Sequence, residues 1–327
     1  MIFIKLNLSR LSYMMCFCTL IACSSSQKDK VLVPEQSNQF ELIYSPKGDT
    51  FPGPSTNQLK AKQYYAEWVP NDHTFMKGVD GKWHIIGITH PKTTPDAIHE
   101  GEHQLFHAVS PKADFKASCF DKAYADMPKV LDPSARPNED LAIYAPYIVK
   151  KDNLYYMIYS PSPFRLAVSK DLTNWEVKGQ LFADKSGERD PNILLYNGTY
   201  YLTYCSHKCV KLRTSKDLVN WSEAKTIIST PDYDPESPTL IYHNNTFYLF
   251  LCSWDGNWDK KEIQGAYQHK TYVFQSDNPL NFGEASKPLT TLQSHAPEIF
   301  QGEDGQWYMS SVEWPERGVS IDRLNWK

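Results

Sequence analysis

Leu166-Ala-Val-Ser-Lys-Asp-Leu-Thr-Asn-Trp175 returns almost unchanged as Leu212-Arg-Thr-Ser-Lys-Asp-Leu-Val-Asn-Trp221. Looser copies run from Leu105 to Phe115 and from Tyr272 to Phe282, and a truncated one from Val319 to Trp326. Each reads as a strand, a turn at Ser-Lys-Asp and the start of another strand. Ahead of each copy lies a second pattern, an apolar run, a polar turn and an aromatic-rich run. It occupies 74–87, 146–159, 191–204, 238–251 and 297–310. Asp80-Gly81, Asn197-Gly198, Asn244-Asn245 and Asp304-Gly305 tolerate the positive φ of tight turns, so these segments read as β-hairpins. Hairpin plus hairpin makes a four-stranded antiparallel blade. A unit repeated five times predicts an all-β, five-bladed β-propeller around a central channel rather than a two-sheet sandwich. No helix-period stretch competes with it.

The amino terminus stands outside this pattern. Lys5 and Arg10 precede an apolar stretch that ends in Leu20-Ile21-Ala22-Cys23, which reads as a signal peptide over residues 1–22. The tetrapeptide resembles a bacterial lipobox, which makes Cys23 the acylated first residue of the mature chain. Residues 23–40 then form a lipidated tether and 41–327 the propeller. The expectation is an exported lipoprotein attached to the outer membrane, facing the periplasm or the cell surface. Its only membrane contact is the lipid anchor. The chain carries a formal charge of −4, and losing Lys5 and Arg10 makes the body more acidic. That argues against nucleic acid, which wants a basic face, and suits a neutral substrate such as a carbohydrate. Cys119, Cys205, Cys209 and Cys252 leave two readings open, one disulfide or four buried thiols. Cys205-x-x-x-Cys209 lacks a second pair at zinc-ligand spacing. Composition sets no oligomeric state.

In a propeller the first strand of each blade lines the channel, so residues at the entrances of those strands converge. Just before the five hairpins stand Asn71-Asp72-His73, Tyr144-Ala145-Pro146, Glu188-Arg189-Asp190-Pro191, Pro235-Glu236-Ser237-Pro238 and Ser294-His295-Ala296-Pro297. Asp72, Asp190 and Glu236 occupy what read as equivalent positions, with His295 in a fourth. Singly, each acid is a turn residue bonding backbone amides. In register at one end of five repeats they suit glycoside hydrolysis, which needs one carboxylic acid and one carboxylate across the scissile bond. A third carboxylate nearby holds the acid protonated.

These motifs, with the Ser-Lys-Asp-Leu-x-x-Trp refrain, resemble glycoside hydrolase family 43 from about Trp68 to Trp326. They also resemble its propeller relatives, families 32, 62, 68 and 117. The resemblance implies Asp72 as general base, Asp190 as pKa modulator, Glu236 as general acid, and inversion at the anomeric carbon. It requires no cofactor, and for some relatives it implies a calcium ion held through water near the equivalent of His295. Candidate substrate-binding residues are His73, Tyr147, Arg189, Trp254, His295 and Trp314. Trp68, Tyr144, Trp254 and Trp314 read as flanking the mouth, and the strand aromatics as packing between blades. Three departures weaken the choice of sugar. Tyr147 stands where family 43 commonly has aspartate, the first motif is Asn-Asp-His, and the fourth is Glu-Ser-Pro. The histidines His90, His99, His103 and His107 pull toward the family 117 anhydrogalactosidases. A non-catalytic carbohydrate-binding propeller is the reading from another class.

Overall fold

The turns that close the hairpins use the backbone conformations their sequences promised. Asn197, Gly198, Asn244 and Asn245 all take φ between 45° and 66°, and Gly81 and Gly305 take 76°. The strands they join are antiparallel throughout. The computed structural model describes residues 30–93, 100–112, 124–184, 187–254 and 267–327, among which there is no helix.

Blade 1 contains β5 (Trp68–Lys77), β6 (Trp83–Pro91), β7 (Gln104–Val109) and β8 (Ala125–Val130) in that spatial order. Blade 2 contains β9 (Tyr144–Lys151), β10 (Leu154–Ser160), β11 (Phe164–Ser169) and β12 (Trp175–Phe182). Blade 3 follows with β13 (Arg189–Tyr196), β14 (Thr199–Ser206), β15 (Cys209–Ser215) and β16 (Lys225–Ser229). Blade 4 has β17 (Asp234–His243), β18 (Thr246–Trp254), β19 (Tyr267–Ser276) and β20 (Thr290–Gln293). The first strands pack on one another around the axis, β5 on β9, β9 on β13 and β13 on β17.

Blade 5 explains the truncated last copy. β21 (Ile299–Gln301), β22 (Trp307–Ser311) and β23 (Val319–Trp326) use up the carboxy terminus, and the outer strands come from the other end of the chain. β1 (Pro34–Gln36) and β2 (Glu41–Tyr44) both pair with β23. The ring is therefore closed by hydrogen bonds between the chain's two ends. The sequence boundary of the propeller at residue 41 falls too late, because Pro34–Gln36 already belongs to the fifth sheet. Residues 31–327 form one unit.

The core sits between blades, one apolar cluster per seam. Phe106 and Ile85 meet Tyr308 and Ile321 across the closing seam, and Leu105 meets Tyr155 and Met157 across the next. Leu166 with Leu202, Leu212 with Leu249, and Phe250 with Met309 mark the other three. The strand aromatics fill these seams, as their positions predicted. Trp68 does not flank the mouth but packs with Phe51 and Leu59 beside a two-stranded ribbon, β3 (Asp49–Thr50) and β4 (Tyr64–Tyr65). Cys205, Cys209 and Cys252 are free thiols, and Cys119 lies outside the described residues, as does Cys23.

Candidate active site

The inner strands of blades 1, 3 and 4 are disturbed at their entrances. The ladder skips between Pro70 and His73, between Arg189 and Asn192, and between Glu236 and Thr239. In each, two residues oppose one on the neighbouring strand, which is a β-bulge, a device that re-aims side chains. The first bulged residue takes left-handed φ in Asp190 (58°) and Ser237 (48°), and Ala296 at the fifth entrance matches them at 45°. Strain of this kind, at about 1–3 kcal/mol per residue, collects at functional sites.

Residues of all five entrances meet at one narrow cavity, with about 20 Å³ of room for a water-sized sphere. Its wall takes Asp72 and His73 from blade 1, Pro146 from blade 2 and Asp190 from blade 3. Ser237 from blade 4 and Glu298 from blade 5 complete it. The three expected acids are brought together, yet not from equivalent positions. Glu236 is the last residue before its bulge, Asp190 the first within its own, and Asp72 the second within its own. This stagger spreads the three carboxyls instead of ranking them around one circle.

Ser237 ties the cluster. Its hydroxyl donates to Asp72 Oδ1 at 2.5 Å and its amide donates to Asp190 Oδ2 at 3.2 Å. The Arg189 guanidinium lies 3.5 Å from Asp190 and 3.6 Å from Glu236, and donates to the Pro235 carbonyl at 3.0 Å. Arg189 thus acts on the carboxylates, not as a free hand for a sugar hydroxyl. Burial first, then the Asp190 charge, pushes Asp72 well above the ordinary carboxylate range, while the Ser237 hydroxyl opposes the rise. Burial and the Asp72 charge also push Glu298 well up. Two of the acids lie at the Arg189 guanidinium, while Asp72 and Glu298 are held toward the protonated form by burial and by neighbouring carboxylate charge.

Other expectations are corrected. His73 lines the cavity but is committed: its Nδ1–H donates to the Asn71 carbonyl and its Nε2 accepts from Ser310 Oγ at 2.8 Å. Burial lowers its pKa to about 4, so it is a neutral brace between blades 1 and 5. Tyr147 is absent from the cavity wall and is hydrogen-bonded to Asn192, with its ring against the seam between blades 2 and 3. Trp254 is buried at the end of β18, and Trp314 stacks edge-on against Phe40 at 5.2 Å; neither lines the cavity. Tyr144 is likewise off the wall. Of the clustered histidines, His90 bonds Pro91 O, His103 bonds Gly53 O and His107 bonds His84, all buried; His99 lies outside the described residues. They add nothing to the cavity.

The calcium expectation does not fit the residues present. His295 is buried beside His269, a nitrogen environment where calcium wants six to eight oxygens, and its pKa is pushed down to about 3. Among the described residues no group of three or more His, Cys, Asp or Glu could hold a metal ion. Ser237 and Glu298 are cavity residues to which the sequence reading gave no role. Ser237 stood inside a quoted motif and Glu298 directly after one, and the recurrence of Pro within the bulges was the signal that could have aligned them.

Comparison with known proteins gives a partial family match and a shared fold. Residues 185–326, which hold blades 3 to 5, match glycosyl hydrolases family 43. A 1,2-beta-oligomannan phosphorylase of Thermoanaerobacter sp. (strain X514) is 32% identical over 91 residues, 25% of this chain and 31% of that protein. The "Probable arabinan endo-1,5-alpha-L-arabinosidase B" of Aspergillus fumigatus is 25% identical over 138 residues, 37% of this chain and 36% of that protein. The chain thus spans about a third of the length of the curated relatives it matches. Among solved structures, an exo-1,5-alpha-L-arabinanase from a bovine ruminal metagenomic library superposes with a TM-score of 0.56 at 18% identity. It covers 79% of this chain and 92% of its own. The compost-metagenome β-xylosidase/α-arabinofuranosidase CoXyl43 gives 0.57 at 14% identity, covering 90% and 95%.

Proposed function

We propose that this family 43-like five-bladed propeller hydrolyses glycosidic bonds of a plant or algal poly- or oligosaccharide, with inversion. The observation that carries the reading is the convergence of Asp72 and Asp190 on one cavity from two blades, with Glu236 of a third held beside them through Arg189. Asp72 takes the proton from the water that attacks the anomeric carbon. Glu236 delivers a proton to the leaving oxygen, and Asp190 sets the field between them. Arg189, shared by Asp190 and Glu236, holds both carboxyls in place. The upward shifts of Asp72 and Glu298, caused by burial and by neighbouring carboxylates, support a site that keeps a proton above the ordinary carboxylate range.

The names of the relatives direct the first trials to arabinan and xylan. One relative is a phosphorylase, so phosphorolysis is the second reading. Against it, among the described residues the guanidinium at the cluster is already engaged by two carboxylates, and a phosphate would enter an acidic cavity. Product analysis over arabinan, xylan, fructan, agar and carrageenan oligosaccharides, with and without inorganic phosphate, tests both. Anomeric configuration would be followed by NMR. Free sugar of inverted configuration, formed without phosphate, is the expected result. Sugar phosphate would establish phosphorolysis, and binding without any product would sink the enzyme reading. We further propose export and acylation at Cys23, supported by the lipobox. Cys23→Ala should move the protein from the membrane fraction to the soluble one, and unchanged partitioning would refute the anchor.

A further inference from the structure

Three acids at or beside the cavity have partners. Asp72 has the Ser237 hydroxyl, Asp190 has the Ser237 amide and Arg189, and Glu236 has Arg189. Glu298 has none among the described residues. Its backbone is fixed at both ends, the amide donating to Ser310 Oγ at 2.9 Å and the carbonyl accepting from Ser310 N at 3.0 Å. Its carboxyl makes no hydrogen bond or ion pair to any described residue. The same Ser310 hydroxyl donates to His73 Nε2, so one bridge fixes Glu298 relative to the strand that bears Asp72. Tyr147 feels the Glu298 charge, which adds to burial in raising its phenol.

An acid held rigidly at its backbone, with a carboxyl that opens on the cavity and has no partner among the described residues, is placed to exchange cavity water for a ligand hydroxyl. A half-buried carboxyl in a wet sugar cavity is satisfied by a hydroxyl pair. It also adds a fourth carboxyl to a cluster that holds one guanidinium among the described residues. A ligand bearing its own carboxylate or sulfate would therefore enter a site already short of positive charge, a discrimination that acts against the wrong ligand.

We propose that Glu298 is a substrate-contacting, specificity-determining residue that hydrogen-bonds a hydroxyl of the sugar unit in the cavity and makes the site select neutral sugars over anionic ones. Sulfated carrageenan units and uronic acids are then poor occupants. The inference rests on the sugar-binding half of the proposed function and not on hydrolysis.

Isothermal titration of the full protein with L-arabinose, D-xylose, D-galactose and D-galacturonic acid at pH 7 tests it without turnover. The wild type should bind at least one neutral sugar tenfold or more tighter than galacturonate. Glu298→Gln, which keeps the shape, should lose at least tenfold affinity for that sugar and narrow the gap to galacturonate. Its unfolding temperature should be equal or higher. Glu298→Ala supplies a second variant: a merely structural role would lower its unfolding temperature and leave affinity unmoved. Unchanged affinity in Glu298→Gln, galacturonate binding as tightly as the neutral sugars, or a wild type that binds no neutral probe would each overturn the inference. Binding of the expected pattern without hydrolysis would sink only the hydrolase reading.

Discussion

Asp72 is the residue on which burial, charge and hydrogen bonding compete most directly. Its carboxyl is raised by burial and by Asp190, and a base works only when ionised, so activity should appear as pH rises through that raised value. The acidic limb of kcat/KM should therefore lie above the ordinary carboxylate range. Asp190→Asn deletes the second-largest cause, and the limb of its residual activity should move to lower pH. A limb that stays put would remove Asp190 from this role. Asp72→Asn and Glu236→Gln should each lower kcat/KM by about 10³ or more, some 4 kcal/mol of barrier, in folded protein. Stability should move the other way. A carboxyl whose folded pKa is raised contributes stability below its unfolded pKa and loses it as pH rises through the folded value. At neutral pH Asp72→Asn should thus raise the unfolding temperature, as removal of a strained functional charge often does. Calorimetry at pH 7 checks this. Asp72, Asp190 and Glu236 were legible in the sequence because acids recur at strand entrances. Trp254 and Trp314 fall away from the cavity wall, because chain position gives the end of a strand but not the direction of its side chain.

At the scale of elements, the repeated Ser-Lys-Asp-Leu refrain is a hydrogen-bonded turn. Ser215 Oγ accepts from the amides of Asp217 and Leu218, and Asp217 Oδ1 accepts from Val219 and Asn220. Ser169 and Asp171 repeat the arrangement. The turn leaves Leu172 and Leu218 at φ 67° and 71°, a conformation leucine seldom adopts, with both side chains fully buried in the seams. The polar bonds hold the strained backbone so that an apolar anchor can point inward. Asp217→Ala removes these acceptors and should cost about 1–2 kcal/mol by urea denaturation. Asp171 is held down to about 2 by its amide donors. Its contribution is present above the unfolded pKa and fades as pH falls toward 2. The turn was legible in the sequence because its bonds are local. The bulges that stagger the acids were not, because a bulge exists only relative to the strand beside it.

For the whole molecule, closure depends on the first strand. Val33 N donates to Lys327 O at 2.8 Å, Lys327 N to Val33 O at 3.1 Å, and Ser37 N to Arg323 O at 3.0 Å. Tyr248 Oη donates to Leu32 O at 2.8 Å, and Gln293 N to Gln36 Oε1 at 2.5 Å. At about 1 kcal/mol each, deleting residues 31–36 from the mature chain should cost roughly 3–5 kcal/mol. That should lower the unfolding midpoint without abolishing the cavity, which lies at the inner strands. A truncated protein as stable as the parent would show that closure contributes nothing.

The five repeats, their turns and the acids at their entrances were determined by the sequence alone, because hairpin chemistry and strand alternation act over a few residues. The closing of blade 5 by β1 and the stagger of the carboxyls were decided only by the tertiary structure. So were the clasp of Ser237 on two acids and the unpartnered carboxyl of Glu298. Each depends on strands from distant parts of the chain lying side by side, and on charges whose energies are set by the shared, partly dehydrated space between them.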